Sequence, residues 1–245
     1  MKPDLLKLIK FYLISLIIIS ILCIPIKSSS DNLSIKDEEV LGKKFLHHIR
    51  QRFVFVDDAF AVQYLNGLGG YLSKQIETEY FPFRFYILKD NHLNAFAGPG
   101  GHIFIFTGLI NKLSKADELA AVISHEMGHV SGRHIASRIE KNKKIGLATI
   151  AGVLAGILAG GKASGAIITG SIAAGIQTQL HYSREDERQA DQLGFKYMCR
   201  SGFDPSAMAS VLKMILKEQL PGSQEVPPYL LTHPGACLLY TSPSP

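Results

Sequence analysis

Apolar residues recur at helical spacing in four stretches of the chain: residues 34–52, 57–76, 117–134 and 204–216. Acidic side chains stand in the early turns of the first three, where they favour the positive end of a helix dipole. In the fourth, Asp204 is predicted to be the N-cap and Pro205 the first helical residue. A stripe with this spacing is buried on one side, so the pattern predicts helices that pack over a core.

A pattern of period two separates the second and third helical stretches. In residues 83–87, two Phe and one Ile alternate with Arg and Tyr, which predicts a strand. Residues 98–101, Gly-Pro-Gly-Gly, predict a turn, and residues 102–107 predict a second strand. A strand just before the third helix could offer a free edge to an extended peptide. The alternative is an ordinary hairpin that only supports the core.

The first thirty residues have the layout of a secretory signal. Lysines precede an apolar run at residues 11–26, and three serines follow it. We expect residues 1–30 to be a signal peptide that is removed, with an uncleaved N-terminal anchor as the alternative. The folded domain is then expected at residues 31–236. Residues 237–245, CLLYTSPSP, are predicted to be a non-native tail, with the natural C-terminal region missing.

A run rich in Gly, Ala, Ile and Leu occupies residues 145–180. Gly152, Gly156 and Gly160 repeat every four residues, a spacing that lets two helices approach closely. Residues 145–161 barely reach the length of a membrane span. We therefore expect a helical hairpin near the third helix, with membrane contact through 145–180 as the alternative.

Charge and cysteine content exclude two classes of protein. The net charge is +5, and the first thirty residues contribute +3 of it, from four lysines and one aspartate. There is no basic stripe with interleaved aromatic residues, so nucleic acid is not expected as a partner. Of the three cysteines, one lies in the apolar run and one in the tail, which leaves Cys199 alone. Neither a disulfide framework nor a cysteine-based metal site can be built from it.

The third helical stretch carries the residues with the clearest chemistry, His125-Glu126-x-x-His129. Residues 125 and 129 are one turn apart, so both imidazoles leave the same helix face and can bind one metal ion. Glu126 lies next to them, where its carboxylate can act on a water molecule at that metal. Two neutral imidazoles plus a carboxylate suit zinc, with one position left for water. The alternative is a surface helix that carries the five-residue pattern by chance.

A third ligand has to come from elsewhere in the chain. The metzincin continuation requires a histidine at position 135, which is Ile135, and His134 stands one position early. That pattern is therefore excluded.

The segment 183–191, SREDERQAD, offers a better source of the third ligand. Glu187 and Asp191 are four residues apart, so a helix places both on one face. Glu187 can bind the metal while Asp191 orients a ligand imidazole. Glu185 and Asp186 are expected to be solvated. The alternative for the whole segment is a charged surface helix.

These motifs together resemble a known family. HEMGHVSGRH at 125–134, SREDERQAD at 183–191 and NAFAGPGGHIFIFTGL at 94–109 occur in the order found in the zinc metallopeptidases that include the CAAX prenyl protease, HtpX, Oma-type and BepA proteins. The nearest likeness is to the exported, BepA-like bacterial members. The resemblance implies an α+β, mostly helical gluzincin domain with a small antiparallel sheet and an HExxH active-site helix. It further implies one Zn²⁺ per chain, held by His125, His129 and Glu187, with Glu126 as the catalytic carboxylate.

His233 lies in a Thr-His-Pro sequence that resembles a segment of the BepA-like relatives. If His233 reaches the site, its ring could have one of two roles. It could stabilise the oxyanion of the tetrahedral intermediate as a preorganised donor. Alternatively, the neutral ring could occupy the open position of zinc and keep the enzyme latent until substrate displaces it.

The leading hypothesis is an exported zinc endopeptidase that hydrolyses peptide bonds of unfolded or misassembled envelope proteins. We expect it in the periplasm or at the envelope membrane surface of a bacterium, with protein or peptide substrates and the envelope assembly machinery as partners. The substrate strand would lie along residues 94–106, beginning with Asn94, Ala95, Phe96 and Ala97. One alternative is a zinc-containing chaperone or binding module with little proteolysis, against which the intact Glu126 argues. Another is a membrane-embedded CAAX-type processing protease, which uses many more spans.

Overall fold

Seven helices and three strands form the part of the chain that the computed structural model describes, namely residues 33–141, 182–218, 229–230 and 233. The helices are α1 (Ile35–Arg52), α2 (Ala59–Ser73), α3 (Thr107–Ile110), α4 (Ala116–Ser131), α5 (His134–Lys141), α6 (Arg184–Arg200) and α7 (Ser206–Lys217). The strands are β1 (Arg84–Leu88), β2 (Ala95–Gly98) and β3 (His102–Phe106). The predicted signal segment, the 145–180 run and the 237–245 tail lie outside the described residues.

The predicted helix starts coincide with side-chain caps. The Ser34 hydroxyl accepts a hydrogen bond from the Asp37 N–H at the start of α1, and the Asp58 carboxylate accepts one from the Ala61 N–H at the start of α2. Helix α2 ends at Ser73, three residues before the predicted end. These caps satisfy backbone donors that have no partner inside the helix.

The start of α7 differs from the prediction by one residue. Asp204 Oδ1 accepts a hydrogen bond from the Ser206 N–H at 2.9 Å, and the helix begins at Ser206. Pro205 therefore stands at the cap rather than in the first turn. The predicted apolar face of this helix is confirmed, since Val211, Leu212 and Ile215 are buried.

The predicted helix 117–134 is two helices. Helix α4 ends at Ser131, and Arg133 has a φ of +50°, which is the left-handed region of the backbone. That single residue turns the chain, so α5 starts in a new direction at His134. Helical periodicity continues across the break, which is why the sequence pattern did not reveal it.

The small sheet has the strand order β1-β3-β2 and is mixed, not purely antiparallel as expected. Strands β2 and β3 are antiparallel, with Ala95 opposite Ile105. They are joined by the tight turn Pro99–Gly101, in which Gly100 and Gly101 adopt φ values of +72° and +82° that favour glycine. Strands β1 and β3 are parallel, because β2 lies between them in the chain and returns the direction.

Helix α4 runs through the main apolar core. Every residue of this helix from Leu119 to Val130 is buried, so the surface-helix alternative for the HExxH motif is wrong. A second, mostly aromatic cluster fills the space between α1 and the sheet and consists of Phe45, Ile49, Leu88, Phe96, Phe104 and Phe106. The predicted architecture, mostly helical with a small sheet, is confirmed. Among the described residues, no helix combines the length and the apolar character needed to cross a membrane.

Candidate metal centre

The two histidines of α4 face the same side and are enclosed by protein. His125 is 3% exposed and His129 is fully buried, and their Nε2 atoms lie 3.1 Å apart. The helix start that sets their direction is stabilised by Glu118, whose carboxylate accepts hydrogen bonds from the N–H groups of Ser114 and Lys115. The predicted single-face arrangement of the two imidazoles is therefore present.

Helix α6 brings Glu187 and Asp191 to the same place. It begins with a capping box: the Ser183 hydroxyl accepts from the Asp186 N–H, and the Asp186 carboxylate accepts from the Ser183 N–H. The expectation that Asp186 is solvated is wrong, because this cap holds its side chain in a buried position. Glu185 is exposed, as expected, and pairs with Arg188.

Close approach of α4 and α6 places these side chains within reach of one another. A Cβ atom at Gly128 would lie 2.6 Å from the Ala190 carbonyl oxygen, and one at Gly194 would lie 3.1 Å from the His125 backbone nitrogen. Only glycine allows the two backbones to come so near. The small residues at this crossing thus determine the distance between the imidazoles and the Glu187 carboxylate.

Four buried side chains converge at one point: His125, His129, Glu187 and His233. One nitrogen or oxygen atom from each lies within 4.8 Å of all the others. His233 Nδ1 is 3.3 Å from His125 Nε2 and 3.1 Å from Glu187 Oε1. Glu187 Oε2 is 3.5 Å from His125 Nε2, and Glu187 Oε1 is 3.6 Å from His129 Nε2. His233 thus joins the predicted ligands although it is more than a hundred residues from His125 in the chain.

The spacing and chemistry of this cluster fit a zinc ion. Ligand atoms at about 2.0–2.1 Å from a tetrahedral centre are separated from one another by roughly 3.3–3.4 Å. Five separations within the cluster, 3.1–3.6 Å, bracket that value. Imidazole nitrogen and carboxylate oxygen are typical zinc donors. In addition, the buried Glu187 Oε2 has no hydrogen-bond partner among the described residues, as expected of an atom that binds a cation.

Each α4 histidine has a partner on the side away from the cluster, and the two partners differ. The Nδ1–H of His125 donates to Asp191 Oδ1 at 2.9 Å, the contact predicted for Asp191. His129 Nδ1 instead lies 2.9 Å from His134 Nδ1. Burial alone would lower the pKa of His125, but the hydrogen bond to Asp191 and the charge of Glu187 outweigh it and raise that pKa. Burial, and next to it the neighbouring imidazoles, lower the pKa of His129.

Glu126 lies between α4 and the sheet and does not take part in the four-residue cluster. Its carboxylate is fully buried, and neither of its oxygens has a hydrogen-bond partner among the described residues. Its Oε1 is 3.5 Å from His233 Nε2. Burial raises the pKa of Glu126, and the nearby imidazoles oppose that shift. A carboxyl group with a raised pKa can both accept and return a proton near neutral pH.

Two tyrosines that sequence reasoning missed line the cluster. Tyr182 stacks on the His129 ring, with centroids 3.7 Å apart, and Tyr229 stacks on the His233 ring at 4.5 Å. Tyr182 stands just before the Ser183 cap, and Tyr229 is four residues before His233. Neither position carries a spacing that would have pointed to the site, so only their contacts identify them.

The residues predicted to contact substrate are also close to the site. Asn94, Ala95, Phe96 and Ala97 are all buried, and β2 packs against α4. Strand β2 lies at one edge of the described sheet, since it pairs with β3 alone. Both polar atoms of the Asn94 side chain are buried without a hydrogen-bond partner among the described residues.

The fold and the site together define the class of this chain, a mostly helical metallopeptidase domain of the HExxH type. It belongs to peptidase family M48, whose model matches residues 63–237. The resemblance drawn from the three motifs is thereby confirmed.

Named relatives agree with this assignment. The chain is 33% identical over 210 residues to the beta-barrel assembly-enhancing protease of Escherichia coli strain K12, and 32% identical over 209 residues to the putative beta-barrel assembly-enhancing protease of Vibrio cholerae. Each match covers 84% of this chain and 43% of the relative. The mitochondrial metalloendopeptidase OMA1 of Arabidopsis thaliana is 32% identical over 149 residues, or 61% of this chain and 28% of the relative. The chain thus spans less than half of the length of these curated relatives.

Proposed function

We propose that this chain is an exported zinc-dependent endopeptidase that hydrolyses peptide bonds of unfolded or misassembled proteins in a bacterial envelope. The observation that carries the proposal is the position of Glu126, a buried carboxylate beside a four-residue cluster with the donors of a zinc site. A structural metal site has no need of such a neighbour. The alternative of a zinc-containing binding module is therefore less well supported.

In this proposal one zinc ion is held by His125, His129 and Glu187, and Asp191 orients the ring of His125. The zinc ion supplies Lewis-acid chemistry that polarises the scissile carbonyl and makes water more acidic. Glu126 accepts the proton of the attacking water and passes it to the leaving amine.

The free edge of β2 provides a place for the substrate backbone. The Phe106 N–H donates to the Asn94 carbonyl, so residues 94, 96 and 98 direct their backbone groups toward β3. Ala95 and Ala97 then direct theirs to the opposite edge, where Glu126 lies. An extended peptide added along this edge would bring its backbone past the catalytic carboxylate. The unpaired amide of Asn94 adds a donor and an acceptor for the same peptide.

His233 is proposed to keep the site latent. Its Nδ1 stands at the separation expected of a fourth zinc ligand, 3.1 Å from Glu187 Oε1 and 3.3 Å from His125 Nε2. Tyr229, one turn earlier, donates its N–H to the Leu93 carbonyl at 3.4 Å, directly before the proposed substrate strand. Tyr229 and His233 thus occupy the place that a substrate would need. Displacement of His233 would free a ligand position and the edge of β2 together.

A single measurement distinguishes this role from oxyanion stabilisation. We expect His233→Ala to cleave an unfolded substrate faster than wild type at equal zinc occupancy. A slower rate would instead assign His233 to the oxyanion, and equal rates would show that it has no role in the reaction.

The substrate class rests on the relatives, which are named for the enhancement of β-barrel assembly. Export is supported by the predicted signal at residues 1–30. The test uses the full purified chain, an unfolded outer-membrane β-barrel protein as substrate, and casein as a substrate without barrel-forming sequence. We expect cleavage that a chelator stops and added zinc restores, with preference for the barrel protein. Binding of the barrel protein without cleavage would favour the chaperone alternative.

Glu126→Gln is the decisive variant in that assay. It should lower the cleavage rate by about 10²- to 10⁴-fold, because an amide cannot take the proton of water. Zinc content should stay at the wild-type level, since Glu126 is not among the proposed ligands. Comparable cleavage by the variant would reject the proposed role.

A further inference from the structure

His134 is a buried histidine that the proposed reaction leaves without a role. Its side chain is enclosed, with Nδ1 2.9 Å from His129 Nδ1 and Nε2 3.0 Å from Gln189 Oε1. It stands behind His129, because the other nitrogen of His129, Nε2, faces the ligand cluster. His134 therefore contacts a proposed ligand without being able to share its metal ion through that contact.

Only one arrangement of protons makes this contact compatible with metal binding. Two ring nitrogens at 2.9 Å need one donor and one acceptor. If His129 held the metal ion through Nε2, that nitrogen would be unprotonated, and the ring proton would reside on Nδ1 and be donated to His134 Nδ1. Neutral His134 then carries its own proton on Nε2 and donates it to Gln189 Oε1. With the protons placed in this way, each donor between His129 and Gln189 faces an acceptor.

The two residues before His134 determine where its ring lies. A Cβ atom at Gly132 would lie 2.3 Å from His134 Nε2, so a larger residue there would collide with the ring. Arg133 holds the left-handed conformation that turns α5 back toward His129. The Arg133 guanidinium donates to the buried Glu38 carboxylate at 2.9 and 3.1 Å and to the Leu33 carbonyl at 2.6 Å. These bonds offset the cost of an unfavourable φ.

We propose that His134 is a positioning residue for His129, the uncharged counterpart of Asp191 behind His125. This inference rests on the metal centre of the proposed function. His134 holds the His129 ring at the angle, and in the tautomer, that directs Nε2 at the metal. Outer partners of metal-bound histidines fix ring orientation in this way.

An uncharged partner suits this side of the cluster. Glu126, Glu187 and Asp191 already place three carboxylates in buried positions around it. A further buried carboxylate behind His129 would add to the negative charge of these three, and burial of charge is costly. An imidazole offers the same acceptor atom without the charge.

The test compares two substitutions at one position in the full chain. His134→Phe keeps a planar ring but removes the acceptor, and we expect it to weaken zinc binding by about 10- to 100-fold in a chelator competition. His134→Asn is the matched control, because its Oδ1 can occupy the place of Nδ1 and accept from His129. We expect zinc affinity close to wild type for that variant. Unchanged affinity in His134→Phe, or equal losses in both variants, would overturn the proposal.

A second readout needs no change in affinity. In the zinc-loaded wild-type chain, the His129 Nδ1–H proton should be protected from solvent exchange in proton–nitrogen NMR spectra. It should exchange faster in His134→Phe and remain protected in His134→Asn. Rapid exchange in the wild type would overturn the proposal without any variant. A wild-type chain that binds zinc but cleaves nothing would contradict the proposed function, while these comparisons would still decide the role of His134.

Discussion

Helix α4 packs against α6 on one side and against β2 on another, and the two contacts are built differently. At α6 the backbones touch through Gly128 and Ala190, and side chains from both helices converge on the ligand cluster. At β2 the buried Glu126 side chain of α4 lies near the Ala97 backbone, and its oxygens have no hydrogen-bond partner among the described residues. Ligands have to stay at fixed distances, which two closely packed helices provide. In the proposed reaction Glu126 has to meet a substrate, and it lies near β2, the strand at the edge of the described sheet.

The largest expected effect is that of a substitution in α6 on zinc binding. Glu187→Ala should lower the zinc affinity by more than the 10- to 100-fold typical when an outer partner of a ligand is removed. Cleavage should be lost with the zinc. The measurement is zinc stoichiometry after dialysis at a fixed free-zinc concentration. Glu185→Ala is the matched control, since Glu185 is exposed on the same helix and pairs with Arg188. Stoichiometric zinc in Glu187→Ala would show that another residue is the third ligand.

A smaller effect is expected from a substitution where α4 and α6 cross. Gly128→Ala would put a Cβ atom 2.6 Å from the Ala190 carbonyl oxygen, and we expect a loss of about 1–3 kcal/mol in the free energy of unfolding. Zinc affinity should fall as well, because α6 carries Glu187. Gly67→Ala in α2 is the control, since no atom lies within 4 Å of its Cβ position. There alanine should stabilise by roughly 0.5–1 kcal/mol. Denaturant unfolding that shows the same sign for both variants would contradict the close-packing account.

The last effect concerns the sheet side and depends on pH. His102, at the start of β3, is buried with its Nδ1 3.1 Å from the Tyr86 hydroxyl, and burial lowers its pKa to about 4. Below its usual pKa of about 6.5 the unfolded chain binds a proton that the folded chain does not. The contribution of His102 to stability is therefore complete above pH 6.5 and is lost as the pH falls toward 4.

His102→Gln should remove this pH dependence. We expect the difference in unfolding free energy between pH 7.5 and pH 4.5 to be smaller in the variant by roughly 1–3 kcal/mol. Denaturant titrations of the metal-free chains at the two pH values measure it. An identical difference in wild type and variant would show that His102 is not a buried neutral histidine.

The sequence alone was sufficient for those parts of the site that depend on local spacing. Four residues separate His125 from His129 and Glu187 from Asp191, and in a helix that interval fixes a shared face whatever the rest of the chain does. The caps at Ser34, Asp58 and Ser183 are equally local, since each joins a side chain to a backbone group three residues on. Elements and ligand pairs of this kind were predictable because the interacting atoms are close in the chain.

Other features were decided only by tertiary packing. The parallel pairing of β1 with β3 and the stacking of Tyr182 on His129 have no counterpart in periodicity. The break at Arg133 depends on Glu38, which is 95 residues away.

His134 shows the difference most directly. As a sequence position it was a histidine one place too early for a ligand, and nothing local assigned it another role. Its contact with His129 exists because Gly132 leaves room for the ring and because a distant carboxylate holds the turn that precedes it. Spacing along a helix determines which side chains share a face, whereas the partner behind each imidazole is determined by the elements that fold against that face.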